Sequence, residues 1–265
     1  MTKKNTVTTL KQMKSEGEKI ACLTSYDASF AKLQDEAGVD LLLVGDSLGM
    51  VLQGSDTTLN VTIADMIYHT RLVSSVTHRA IVVSDMPFMS YSTPAQALGN
   101  AARLVSEAGA QVVKLEGGEE LSETIRLMAQ HGIPVCGHLG LTPQSIHKIG
   151  GYRVQAKSNE AADKLKQDAK ALQQAGAVCL VLECVPSAVA TDVTQSLDIP
   201  VIGIGAGLDC DGQVLVVYDM LGLTEKQPRF SKNYLIGKDS IAEAIKTYVD
   251  DVKNKSFPSS AHAYD

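Results

Sequence analysis

The stretch "STPAQALGNAARLVSEAGAQVVKLEGG" (92–118) changes its period halfway along. Its first part reads as a helix. Thr93 takes the N-cap and Pro94 the first helical position, where a missing N–H costs nothing, and Gln96 stands where a capping-box partner belongs. Gly109 supplies the stop. The second part, "AQVVKLEGG" (110–118), reads as a strand that puts Val112, Lys114 and Glu116 on one face and ends at Gly117-Gly118. A helix that closes on Gly and runs straight into a strand is half of a βα repeat. The same junction recurs as "EAGVD" (36–40) and "QAGAV" (174–178).

Working outward, the same kind of apolar run appears seven more times: "KIACLTSYD" (19–27), "VDLLLVGDS" (39–47), "AIVVSDMPF" (80–88), "IPVCGHLG" (133–140), "AVCLVLECVP" (177–186), "IPVIGIGAG" (199–207) and "GQVLVVYDM" (212–220). Nearly continuous Val, Ile and Leu marks strands buried on both faces, as in a parallel sheet. Helix patterns lie between most of them. "SNEAADKLKQDAKALQQAG" (158–176), for example, carries Ala161, Leu165, Ala169 and Leu172 at helical spacing. Eight such units predict a (β/α)8 TIM barrel, with a doubly wound open sheet as the alternative. The first strand is followed by "TSYDASF" (24–30), which is not the glycine fingerprint of a dinucleotide-binding sheet. With no linker or low-complexity stretch, residues 1–265 read as a single barrel domain. Two intervals are long, 48–79 and 141–160. The second, "LTPQSIHKIGGYRVQAKSNE", has the punctuation of a lid.

A formal net charge of −6 leaves no basic footprint for nucleic acid. The five cysteines are odd in number, have no CxxC spacing and sit mostly in apolar runs, which fits a reducing compartment without disulfides. The polar N-terminus has no signal-peptide core, and no 18 consecutive apolar residues occur, so a cytoplasmic location is expected.

Barrel active sites lie at the C-terminal ends of the strands. Here five consecutive ends are polar. They carry Asp46-Ser47, then Asp85, then Lys114 and Glu116, then His138 two residues after Cys136, then Glu183. Four carboxylates at one mouth repel one another, and one lysine does not neutralise them. A hard divalent cation does, and carboxylate oxygens are what Mg²⁺ takes. Asp46 and Asp85, on neighbouring strands, are the expected ligands, with Glu116 as a third ligand or one acting through water. Zinc is disfavoured, since no second His or Cys has ligand spacing. Each residue also has a plainer reading. A strand-end Asp is commonly an N-cap, the role expected of Asp27 before "ASFAKL". Lys114 and Glu116 could form a structural ion pair, His138 could be a satisfied core histidine, Cys136 packing, and "GIGAG" (203–207) a phosphate loop.

Six stretches together resemble the ketopantoate hydroxymethyltransferase family: "LLLVGDSLGMVLQG" (41–54), "MPFMSYSTP" (86–94), "VVKLEGG" (112–118), "PVCGHLGLTPQS" (134–145), "LVLECVP" (180–186) and "IPVIGIGAG" (199–207). The resemblance runs from about residue 20 to about residue 250. It implies a Mg²⁺-dependent (β/α)8 barrel that moves a hydroxymethyl group from 5,10-methylenetetrahydrofolate to 3-methyl-2-oxobutanoate. The product is ketopantoate, reached through a Mg-stabilised enolate in the first committed step toward pantothenate. It further implies that Asp46, Asp85 and Glu116 form the metal site. Asp46, Ser47, Asp85, Lys114 and His138 would contact substrate, Glu183 would accept the proton, and the chains would form a homo-oligomer, a decamer in many members. Two other readings remain open at this point: a phosphoenolpyruvate mutase or isocitrate lyase relative, and a barrel that binds a small anion without catalysis.

Overall fold

Eight parallel strands pair in sequence order and close, β8 against β1. They are β1 (Ile20–Thr24), β2 (Leu41–Val44), β3 (Ile81–Asp85), β4 (Val112–Glu116), β5 (Val135–Gly140), β6 (Cys179–Glu183), β7 (Val201–Ile204) and β8 (Gly212–Leu215). Every predicted run contains one of them, and the closed barrel excludes the open sheet. The structure, a computed structural model, describes residues 4–265. No helix among them is long and apolar enough to cross a membrane.

Alternation along the strands sorts the core into two layers. Inside the barrel lie Ile20, Cys22, Leu41, Ile81, Val83, Val112, Cys136, Cys179 and Ile202. The opposite faces, with residues such as Leu42, Val82, Val113 and Leu180, pack against the surrounding helices. Cys136 is therefore packing, as its plainer reading had it, and all five cysteines are free and buried. The N-terminal end of the barrel is closed by the helix Val7–Glu16, whose Leu10 and Met13 join the interior cluster. Little in the amino-acid pattern announces this plug, since those two residues are its only buried ones.

Helices Ala28–Ala37, Ile63–Ser74, Pro94–Ser106, Ser122–Gln130, Asn159–Ala175 and Ser187–Ser196 fill the βα units up to β7. The three repeated junctions behave alike: Gly38, Gly109 and Gly176 all have positive φ, which ends the helix and turns the chain into a strand. Asp27 is an N-cap, accepting from the Ser29 and Phe30 amides. Thr93 caps its helix through the Gln96 amide, but the expected capping box is displaced. The Gln96 carboxamide oxygen accepts from the amide and hydroxyl of Ser92, one residue before the cap. The reciprocal box appears instead at Thr62 and Asp65, within the long interval after β2.

No helix separates β7 from β8. "GIGAG" is the start of that short connection, and its glycines make room for protein. A Cβ on Gly205 would meet the Phe230 and Tyr264 rings at 3.1 Å, and one on Gly207 would meet the Ser187 hydroxyl at 2.7 Å. These contacts account for the two glycines by packing alone. The ring of helices is completed by Ile241–Lys253, which packs on Ala28–Ala37 and β1.

Candidate active site

Strand register decides which charges meet. Asp85 on β3 is opposite Lys114 on β4, and Glu116 on β4 is opposite His138 on β5. All four side chains point into the C-terminal mouth of the barrel and are almost completely buried. Lys114 Nζ lies 3.0 Å from Asp85 Oδ1 and 3.2 Å from His138 Nδ1. His138 Nδ1 is 3.4 Å from Glu116 Oε1, and its Nε2 is 3.2 Å from Glu183 Oε2. The two charges that stand together in "VVKLEGG" thus pair with opposite neighbours, Lys114 toward β3 and Glu116 toward β5. They are not a structural pair with each other.

Asp46 and Ser47 come from the turn after β2. Gly45 permits the turn: a Cβ there would lie 2.7 Å from Ser47 Oγ. The Asp46 amide donates to Asp85 Oδ2 at 3.0 Å, which locks the two aspartates side by side. Ser47 Oγ is 2.8 Å from the buried Tyr26 hydroxyl. All six expected residues and Ser47 line one cavity of about 870 Å³ at the barrel mouth. Tyr152, Arg153 and Val154, from the interval read as a lid, form part of its wall.

Charge and burial set the protonation. Burial raises Asp46 well above the ordinary carboxylate range, with repulsion from Asp85 and Glu116 adding to it. Burial also raises Asp85, against the pull of Lys114. Burial alone would lower Lys114, but Asp85, Glu116 and Asp46 outweigh it and hold the ammonium charged. Burial and Lys114 disfavour a charged His138, yet its bonds to Glu116 and Glu183 prevail and lift its pKa to about 9. Glu116 is pushed below its usual range: burial opposes this, but bonds to His138 and the Gln144 amide and the charge of Lys114 win.

Gln144 is the residue the sequence did not single out. It sits just past β5, in the 3₁₀ turn Pro143–Ser145. Its backbone amide donates to Glu116 Oε2 at 2.9 Å, and its side-chain amide donates to Asp46 Oδ2 at 2.8 Å and to the Met86 carbonyl at 2.9 Å. Its carboxamide oxygen accepts from the Tyr91 hydroxyl. The available signal was position, since a polar residue one turn beyond a strand end faces the same mouth as the strand end itself.

These bonds leave a definite set of free oxygens. Glu116 is occupied on both sides by His138 and Gln144. Asp85 Oδ1 is buried and makes no hydrogen bond of acceptable angle, although Lys114 stands at ion-pair distance. Among the described residues no three His, Cys, Asp or Glu side chains converge as a ready-made metal cage. Two adjacent buried aspartates, of which only Asp85 is met by a side-chain cation, suit a hard cation that takes its other ligands from water and substrate, which is the habit of Mg²⁺. The donor set therefore fits that ion through Asp46 and Asp85, with Glu116 one hydrogen-bonded step away.

The family model for ketopantoate hydroxymethyltransferase matches residues 4–260. Among curated relatives, a 3-methyl-2-oxobutanoate hydroxymethyltransferase of Methylobacillus flagellatus is 59% identical over 97% of this chain and 98% of its own. One from Alteromonas mediterranea is 56% identical over 99% of both chains. Solved structures with a similar fold include a putative phosphonomutase from Burkholderia cenocepacia. It has a TM-score of 0.66 and 17% identity, over 82% of this chain and 94% of that one. A phosphonopyruvate hydrolase in complex with oxalate and Mg²⁺ has a TM-score of 0.63 and 13% identity, over 95% and 96%. At such identities these structures speak for the fold alone.

Proposed function

The chain belongs to the ketopantoate hydroxymethyltransferase family, and we propose that it transfers a hydroxymethyl group from 5,10-methylenetetrahydrofolate to 3-methyl-2-oxobutanoate, with Glu183 as the base. The observation that carries this reading is the division of labour among the four carboxylates. Asp46 and Asp85 are locked together, and Glu116 is held by His138 and Gln144. Glu183 comes from another strand, is the most exposed of the four, and opens onto the cavity. A base must stay off the metal, because coordination would remove its basicity; Glu183 meets that condition and, unlike Glu116, is not held on both sides by hydrogen bonds.

In this reading Asp46 and Asp85 hold Mg²⁺, with Glu116 behind them. The bound ion supplies Lewis acidity toward the keto oxygen and offsets the crowded negative charge. The protein's part is to hold the keto acid and move one proton. Lys114 faces the negative charge that grows on the substrate oxygen, and Ser47 and His138 complete the contacts. Glu183 takes the proton from C3, and the resulting carbanion equivalent forms the bond to the folate-derived methylene carbon. The carbon–nitrogen bonds of that methylene break, and water supplies the hydroxyl oxygen, so tetrahydrofolate and ketopantoate leave. His138, whose Nε2 lies 3.2 Å from Glu183 Oε2, keeps the glutamate aimed. The same reading takes residues 1–265 as one domain. It places the protein in the cytoplasm as a homo-oligomer, a decamer by the family resemblance, acting at the first step toward pantothenate.

Proton abstraction needs no folate, which gives a clean test. The protein with Mg²⁺ should exchange the C3 proton of 3-methyl-2-oxobutanoate with deuterium oxide, followed by NMR. Glu183→Gln should lower that rate by roughly a hundred- to ten-thousandfold, the usual weight of a general base. Exchange at the native rate in Glu183→Gln would move the role of base to another group.

A further inference from the structure

The cavity is larger than a keto acid of five carbons and three oxygens requires. Its volume of about 870 Å³ lies toward the upper end of what drug-sized ligands occupy. Part of its wall is a buried carboxylate that the proton transfer does not use. Asp219 sits in the short helix Val217–Met220 just after β8 and is only 6% exposed. Its Oδ1 accepts from the Thr224 hydroxyl. No hydrogen bond among the described residues reaches Oδ2, and no cation lies within ion-pair distance of the group. Asp219 braces the following loop through its backbone carbonyl, which accepts from the Gln227 side chain and the Gly222 amide, and through Oδ1. Oδ2 is surplus to that task. Burial, with the negative charge of Glu183 adding, makes the unpaired carboxylate costly.

The neighbours of Asp219 narrow the choice of ligand. Tyr218 lines the same cavity and is backed by the rings of Tyr26 and Phe30, with centroids 6.0 and 6.2 Å away. Phe230 lines it as well. A carboxylate beside aromatic rings suits a flat heterocycle that presents two parallel N–H donors on one edge, because a carboxylate accepts such a pair as it accepts a guanidinium. The amino-pyrimidinone edge of a pterin is such a group. Lys226 and Arg229, the exposed cations of this wall, suit the carboxylates of a glutamyl tail. We propose that Asp219 receives the N3–H and 2-amino edge of the folate pterin, with Tyr218 and Phe230 against its ring. The assignment rests on the folate reading above and adds the residues that recognise the donor.

Calorimetric titration of the Mg²⁺-loaded protein separates the two ideas. The probes are tetrahydrofolate and its 2-desamino-2-methyl analogue, which lacks one donor of the edge. The native protein should bind tetrahydrofolate roughly 10- to 100-fold more tightly than the analogue, as loss of a hydrogen bond to a charged group implies. Asp219→Asn should weaken tetrahydrofolate by a similar factor and leave the analogue nearly unchanged. C3 proton exchange, which uses no folate, serves as the control that the barrel is intact, and Asp219→Ala gives a second variant. If Asp219→Asn keeps the native preference, or weakens both ligands equally, Asp219 does not read the pterin. If the native protein binds no tetrahydrofolate, the folate reading falls and takes this assignment with it.

Discussion

Lys114 and Glu116 stand two residues apart on one face of β4, yet each is neutralised from a different strand. Side chains at that spacing on a strand lie too far along it to pair well, while the residue opposite on the next strand is close. The sequence made the charges visible but not their partners, because partnership depends on register. The same limit hid Gln144, which becomes prominent only when β3, β4 and the turn after β5 are seen together. Its side-chain amide holds Asp46 Oδ2 and the Met86 carbonyl at once. Gln144→Ala should leave the barrel folded and free Asp46 to turn away from Asp85. Losing a donor to a buried carboxylate costs about 1–3 kcal/mol, so Mn²⁺, used in place of Mg²⁺, should bind roughly 5- to 150-fold more weakly. The free-ion signal in electron paramagnetic resonance measures this without any turnover. Unchanged Mn²⁺ affinity would remove Gln144 from the metal site.

At the scale of elements, each strand was legible because a strand buried on both faces reads as an unbroken apolar run, and the glycine junctions marked where helices stop. The elements that escaped are those whose burial is slight or comes from the closure of the barrel. The helix Val7–Glu16 buries two residues on a polar background. The helix Ile241–Lys253 has a clear apolar face, but its task lies at the seam between the first and last strands. The Tyr248 hydroxyl lies 2.8 and 2.9 Å from the carbonyl oxygens of Cys22 on β1 and Gln213 on β8. One side chain thus ties both ends of the sheet from outside. Tyr248→Phe keeps the ring, which packs edge-on to Tyr234 and Phe257, and removes only that bond. It should lower stability by about 0.5–1.5 kcal/mol, or somewhat more if a carbonyl is left unsatisfied. The midpoint of urea unfolding should fall at unchanged slope. No shift in the midpoint would mean that the seam holds through the ladder alone.

The whole molecule divides along the barrel axis. At the C-terminal mouth the interior residues are Asp85, Lys114, Glu116 and His138, and stability is given up there to keep charges close. At the other end the interior is Ile20, Leu41, Ile81 and Val112, closed by Leu10 and Met13. In a (β/α)8 barrel these ends have separate duties, chemistry at one and stability at the other. That separation makes a prediction that a scrambled or open sheet would not share. Leu10 is 1% exposed and sits in the plug, at the end of the barrel away from Asp46 and Glu183. Leu10→Ala leaves a cavity under the barrel, and such truncations cost about 2–5 kcal/mol. The unfolding midpoint should drop accordingly. The rate of C3 proton exchange per folded molecule should stay near native, because nothing at the mouth has moved. Mutations at the mouth should show the reverse, with large losses of rate and little loss of stability. Should Leu10→Ala depress the exchange rate of fully folded protein as strongly as it depresses the midpoint, the two ends are coupled through the stacked interior layers. The floor would then have to be counted among the parts that position the site.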